Sequence, residues 1–282
     1  MPRERDLFRV LAEVREAHFP RTTLRVAGGW VRDRILGRTS SDVDIVLDDV
    51  DGVTFATALT QHLENTAMKR KTSNKMYVVK KNPAQSKHLE SASMKLFGLE
   101  LDFVNLRTED YGDDNDGRVP TSVSFGTAEM DASRRDLTIN ALFYNIEEDK
   151  VEDFTGRGLA DISTNTLRTP PGRPAMDTLL EDPLRAVRSI RFASTLGFAI
   201  HEELWSAICH ADAHCALRSK VSRERISVEL VKMILKHQQP AEVKGGEVKA
   251  TEEHAAAPRA LEPLALIGQS GLHDVFFPVR EA

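Results

Sequence analysis

No apolar run in this 282-residue chain approaches the ~18 residues that a membrane-spanning helix needs, which excludes a transmembrane protein. Cysteine is scarce: Cys209 and Cys215 are the only two, and neither stands in a zinc-type cluster. That excludes a disulfide framework and suits a reducing compartment. Positive charge is not in excess, since 43 acids outnumber 38 lysines and arginines for a formal net charge of −5. The balance argues against extensive nucleic-acid binding, but it leaves room for a local basic groove aided by bound cations. Also missing are a dinucleotide-type G-x-G-x-x-G turn, a G-x-x-x-x-G-K-[ST] loop and any internal repeat.

What is present is an ordinary globular composition, 41% hydrophobic and 29% charged, in a chain long enough for two modules. The first residues read as an amphipathic helix over about 4–17, with Leu7, Val10, Leu11 and Val14 on one face, rather than as a cleaved targeting peptide. A strand at Leu24–Ala27, the pair Gly28-Gly29, and a helix from Trp30 to about Leu36 follow, with Gly37 as its stop. Strands are predicted at Asp42–Leu47, Met76–Lys80, Leu99–Leu106 and Val151–Phe154, a helix at 53–66, and a loop at 108–128. From about 177 the pattern turns helical, over 182–196, 201–210 and 222–237, with one more helix inside 260–279. Strands with helices first and helices alone afterwards predict an α/β head on a helical second module.

Asp42 and Asp44 stand two apart in a strand pattern, so both side chains project from one face. Paired carboxylates repel unless a cation sits between them, and hard oxygen ligands suit Mg²⁺. Asp102 alternates with Leu101 and Phe103 in a second strand; if the strands are neighbours it becomes a third ligand. A lone D-x-D is most often surface charge. Gly28-Gly29, between a strand and a helix, adds backbone N–H groups that could approach a triphosphate.

Arg185, Arg188 and Arg191 recur every three residues opposite Leu184, Val187 and Ile190. With Pro183 at the first helical position and Asp182 as N-cap, only Glu181 and Asp182 are near to pair with them. The three read either as a solvated charged face or as donors awaiting an anion, Asp182 and Arg185 together offering an acceptor and a donor fork to a base edge. Arg134-Arg135-Asp136 and Asn140 form a second polar set, read either as a buried ion pair with a helix cap or as contacts to phosphate and ribose hydroxyls.

Together these segments resemble the class II tRNA nucleotidyltransferase/poly(A) polymerase family, within the DNA polymerase beta superfamily. GGWVRD with SDVDIVLDD, LDFVNLR, RRDLTINALFYN, EDFTGRGLADI, EDPLRAVRSIRF and SRERISVEL occur in the family's order across about 24–235. SKHLESASMKLFGLELDFVNLR and FGTAEMDASRRD are most similar to eukaryotic CCA-adding enzymes. The resemblance implies an α+β nucleotidyltransferase head, a mixed sheet with helices, followed by an all-α neck and a partial body. It sets the head at 1–158, the neck at 159–237, a flexible insertion at 238–260, and the start of a truncated body at 261–282.

By the same resemblance Asp42, Asp44 and Asp102 are catalytic and hold two Mg²⁺ ions, and Gly28, Gly29 and Arg32 bind the triphosphate. Arg135, Asp136 and Asn140 recognise ribose. Asp182 and Arg185 read the Watson–Crick edge of CTP or ATP, Arg188 and Arg191 add nucleotide contacts, and Glu224 and Arg225 brace the neck. The implied activity adds CMP and AMP to the tRNA 3′ end with no nucleic-acid template; a poly(A) polymerase and an inactive nucleotide- or RNA-binding fragment are the alternatives. The cytoplasm is the expected compartment, with nucleus and mitochondrion also open, and no membrane partner is expected.

Overall fold

The structure is a computed structural model that describes residues 2–65, 76–79, 91–110, 122–236 and 261–276. It divides into two compact units, Met1–Thr164 with Pro170–Gly172, and Asn165–Thr169 with Arg173–Ala282. The 238–260 insertion of the sequence reading lies outside the described residues.

In the first unit, helix α1 (Pro2–His18) leads to β1 (Leu24–Ala27), α2 (Gly29–Ile35), β2 (Asp42–Leu47) and α3 (Gly52–Asn65). Then come β3 (Met76–Val79), β4 (Ser91–Leu96), β5 (Leu99–Asn105), β6 (Arg107–Asp110), β7 (Ser122–Phe125) and α4 (Ala128–Ser133). A 3-10 turn (Thr138–Asn140), β8 (Phe143–Asn145), β9 (Lys150–Glu152) and α5 (Gly158–Ser163) complete it. Among the described residues the main sheet has seven strands, in the order β3-β4-β5-β2-β1-β8-β9. It is mixed, because β2 and β5 run parallel while the other pairs are antiparallel.

The sheet is covered according to its alternation. On one side α1 buries Leu7, Val10, Leu11 and Val14 completely, and α3 adds Phe55, Leu59 and Leu63. Rings stack through this layer: Phe19 to Phe55 at 5.4 Å and Phe55 to Phe103 at 5.7 Å. On the other side the small face of α4, Ala128 and Ala132, packs on Ala27, Val46, Leu106, Ala141 and Phe143. Alanines allow the close approach that brings the end of α4, and the arginines after it, down to the strand ends. Gly52 permits the start of α3 to touch β5, since a Cβ there would lie 2.3 Å from the Phe103 carbonyl oxygen.

The 108–128 loop reading is corrected in part. Arg107–Asp110 and Ser122–Phe125 pair as an antiparallel ribbon, because a ladder needs only backbone partners and tolerates polar side chains. β4 was also not anticipated.

The second unit holds β10 (Thr166–Leu167), α6 (Ala175–Glu181), α7 (Leu184–Leu196), β11 (Ala199–Ile200), α8 (Glu202–Ile208), α9 (Ala211–Lys220), α10 (Arg223–Lys236), α11 (Leu261–Gln269) and α12 (His273–Phe276). Among the described residues it is helical apart from the two-residue parallel ladder of β10 with β11. α7 is its central element: Ala186, Val187, Ile190 and Ala193 are buried, and the helix packs on α10 and α11. Gly197 ends α7 in the left-handed conformation, φ 74°.

Candidate active site

Asp44 and Asp102 are direct partners across the parallel β2–β5 ladder. Their side chains therefore leave the same sheet face on strands about 4.8 Å apart, with Asp42 two residues along on that face. Asp42 and Asp102 are exposed and Asp44 is half-buried. Burial pushes the Asp44 carboxyl up to about 6, against the pull of Arg135, and repulsion from Asp102 and Asp42 adds to the rise. Asp102 Oδ1 accepts from Ser93 Oγ on β4 at 2.5 Å, and Asp42 Oδ1 from Ser41 Oγ at 3.4 Å.

An all-carboxylate ledge with one acid resisting ionisation fits a hard divalent cation, which would neutralise the repulsion. Among the described residues, no three His, Cys, Asp or Glu side chains are already drawn together as a metal-holding group. The charge and donor chemistry fit; the Asp102 carboxylate is turned toward Ser93.

Beside the ledge the chain turns at Gly28, φ 72°, whose N–H is donated to the Leu142 carbonyl at 2.9 Å. A Cβ at Gly28 would stand 3.0 Å from Arg135 Nη1 and 4.0 Å from Asp44 Oδ2, so glycine lets backbone, guanidinium and carboxylate meet. Arg135 Nε and Nη2 donate to Asp131 Oδ2 at 2.9 and 2.8 Å, and Nη1 to the Asn140 carbonyl at 3.1 Å. Arg134 also pairs with Asp131. Burial would raise the Asp131 carboxyl, but the two arginines outweigh it and hold the acid below its usual range. A cavity of about 220 Å³ opens here, lined by Asp44, Val46, Val104, Asp131, Arg134 and Arg135.

Arg32 and Asn140 are buried and linked, Arg32 Nη1 donating to Asn140 Oδ1 at 2.5 Å. Arg32 also bonds Asp33 at 2.8 Å, and Asn140 Nδ2 donates to Asp136 Oδ1 at 3.0 Å. Asp42, Asp44, Asp102, Gly28, Gly29, Arg32, Arg135, Asp136 and Asn140 thus gather in the first unit. Asp131 was not singled out from sequence, although its i,i+4 spacing to Arg135 on a helical stretch was an available signal.

In the second unit Arg185 and Arg191 have partners outside α7, which corrects for these two the reading of donors awaiting an anion; the partner of Arg185 is Glu181, already near it in sequence. Arg185 Nη1 reaches Glu181 at 3.1 Å and the Thr178 carbonyl at 3.0 Å. Arg191 is buried, bonds Glu229 of α10 at 2.5 Å, and lies 3.9 Å from the Phe192 ring centroid. Arg188 stacks at 5.6 Å on the same ring. Pro183, not Asp182, is the N-cap of α7: α6 continues to Glu181, so Asp182 is the extended junction residue. Its carboxylate still accepts from the Leu184 N–H at 3.3 Å and pairs with Arg225 at 3.3 Å. Glu224 is exposed, whereas Glu229, five residues later, makes the buried ion pair.

Residues 24–168 match the family described as "Poly A polymerase head domain". The chain is 49% identical over 214 residues to the mitochondrial CCA tRNA nucleotidyltransferase of Saccharomyces cerevisiae, covering 76% of this chain and 38% of that protein. It is 43% identical over 266 residues to nucleotidyltransferase lcsQ of Purpureocillium lilacinum, 92% of this chain and 42% of that one. A solved CCA-adding enzyme in an apo form superposes with TM-score 0.69 at 25% identity, over 99% of this chain and 55% of that one. The chain spans about two fifths of the length of these curated relatives.

Proposed function

This chain belongs to the poly(A) polymerase head-domain family of nucleotidyltransferases, and we propose that it transfers CMP and AMP from CTP and ATP to the 3′ end of a tRNA lacking CCA. The observation that carries this reading is the register of Asp44 opposite Asp102, with the Gly28 turn and Arg135 beside them. In the overall reaction the RNA 3′-hydroxyl attacks the α-phosphate and pyrophosphate leaves.

Asp42, Asp44 and Asp102 would hold two Mg²⁺ ions, which supply neutralisation of phosphate charge and acidify the attacking hydroxyl. The chain's own residues supply position. The Gly28-Gly29 turn lets backbone approach the triphosphate, and Arg135 presents cationic donors next to it. Asp136 and Asn140, locked to each other and to Arg32, set the ribose contacts. Asp182 and Arg185 offer an acceptor and donors for the base edge, so that protein selects C or A without a template. Arg188 is the further nucleotide contact; Arg191, paired with Glu229, serves with Arg225 to brace the helices. Reaction proceeds by positioning and charge stabilisation, with no covalent enzyme intermediate.

Any reducing compartment suits the two free cysteines. We place the activity in the cytoplasm, the nucleus or, as the name of the yeast relative suggests, the mitochondrion. Among the described residues no helix is long and apolar enough to cross a membrane.

The test supplies purified chain with tRNA lacking CCA and CTP alone, then ATP alone, with Mg²⁺ or with chelator. Metal-dependent CMP incorporation is expected. Long tails from ATP alone would mark poly(A) synthesis instead, and CTP binding with no incorporation on any RNA would mark a binding fragment.

A further inference from the structure

We propose that Asp131 is a positioning residue that holds Arg135 against the glycine turn, ready for the phosphate or sugar oxygens of a nucleoside triphosphate. The proposal rests on the nucleotide reading above and adds to it a residue outside the catalytic acids and the ribose set.

Arg135 follows the C-terminal end of α4, where a long side chain on its own would extend into solvent. Three groups prevent that. Asp131, one helical turn earlier, takes Nε and Nη2 in a side-on fork; the Asn140 carbonyl takes Nη1; the Phe143 ring lies 5.1 Å from the guanidinium carbon. An arginine has five N–H donors. Three are engaged by Asp131 and Asn140, so among the described residues one on Nη1 and one on Nη2 are left for a ligand. Nη1 is also the atom that a Cβ on Gly28 would meet at 3.0 Å, which puts the guanidinium at the turn itself.

Asp131 is 1% exposed and both its carboxylate oxygens are taken by Arg134 and Arg135, so it acts through its arginines. Its neighbours Ala128 and Ala132 fix α4 to the sheet, which gives the carboxylate a rigid base. Without the fork, Arg135 keeps one carbonyl bond and a ring contact, too little to define the direction of its two spare donors.

The experiment is a calorimetric titration of CTP in Mg²⁺ with the parent chain, Asp131→Asn, Arg135→Ala and the double variant. Asp131→Asn is expected to weaken CTP binding about tenfold, the scale of one charge-assisted hydrogen bond. Arg135→Ala should cost at least as much, and the double variant no more than Arg135→Ala alone, because both act on one contact. Asp131→Glu, which keeps the charge, should recover part of the affinity. Nitrogen-15 spectra of the arginine Nε–H groups follow the clamp without any ligand: slow proton exchange at Arg135 is expected in the parent chain and fast exchange in Asp131→Asn. Unchanged CTP affinity in Asp131→Asn, or losses that add in the double variant, would overturn the proposal. A parent chain that binds no CTP would overturn the nucleotide reading itself, before any substitution is made.

Discussion

Asp44 is the residue on which burial and two neighbouring carboxylates act together, and its carboxyl stands at about 6 instead of 3.8. Between those values the folded chain keeps a proton that the unfolded chain has released, so stability falls as pH rises through about 4 to 6 and stays reduced above it. A shift of this size corresponds to about 3 kcal/mol. Asp44→Asn abolishes the charge, and in chelator at pH 7.5 it should raise the thermal midpoint by about 5 °C. At pH 4 the gain should be nearly gone. Melts at the two pH values decide it; an equal or lower midpoint for the variant at pH 7.5 contradicts the electrostatic account. The acids themselves were legible because strand alternation alone sends Asp42 and Asp44 to one face. That Asp102 stands opposite Asp44 was conditional on two strands being neighbours, and only the β2–β5 register supplies that. Asp131 stayed hidden because its i,i+4 spacing to Arg135 signals a pair only once Ala128–Ser133 is known to be a helix.

At the scale of elements, the ion pair of Arg191 with Glu229 ties α7 to α10 from nearly dry positions, with side chains 8% and 5% exposed. Removing one partner strands the other charge, so Glu229→Ala should destabilise the second unit by about 3–5 kcal/mol, whereas replacing both residues by leucine and methionine should recover most of it. Urea unfolding of the three chains measures this, and equal destabilisation by the single and paired replacements would contradict it. Strongly patterned elements were readable: β1 and β2 fall on the predicted residues, and α1 buries its predicted face. β4 and α9 were not. SASMKL has few β-branched residues to mark a strand, and ADAHCALRSK buries only Ala213, Ala216 and Leu217. Glu181, the partner of Arg185, was legible as a near neighbour in sequence, whereas Glu229, the partner of Arg191, was not, since it lies 38 residues away on another helix.

For the whole molecule, the sequence order of strands before helices was enough to foresee a strand-and-helix unit and a helical one, while the mixed sheet followed from the family resemblance. The division falls after Thr164, because Thr166 and Leu167 pair with Ala199 and Ile200 and so belong with the helices. The proposed function requires the Asp42, Asp44 and Asp102 face to be a cation and triphosphate site. Its most direct test is Mn²⁺ binding followed by electron paramagnetic resonance, with and without CTP. Two Mn²⁺ per chain in the presence of CTP are predicted, falling in both Asp44→Asn and Asp102→Asn; an unchanged stoichiometry and affinity in those variants would contradict it.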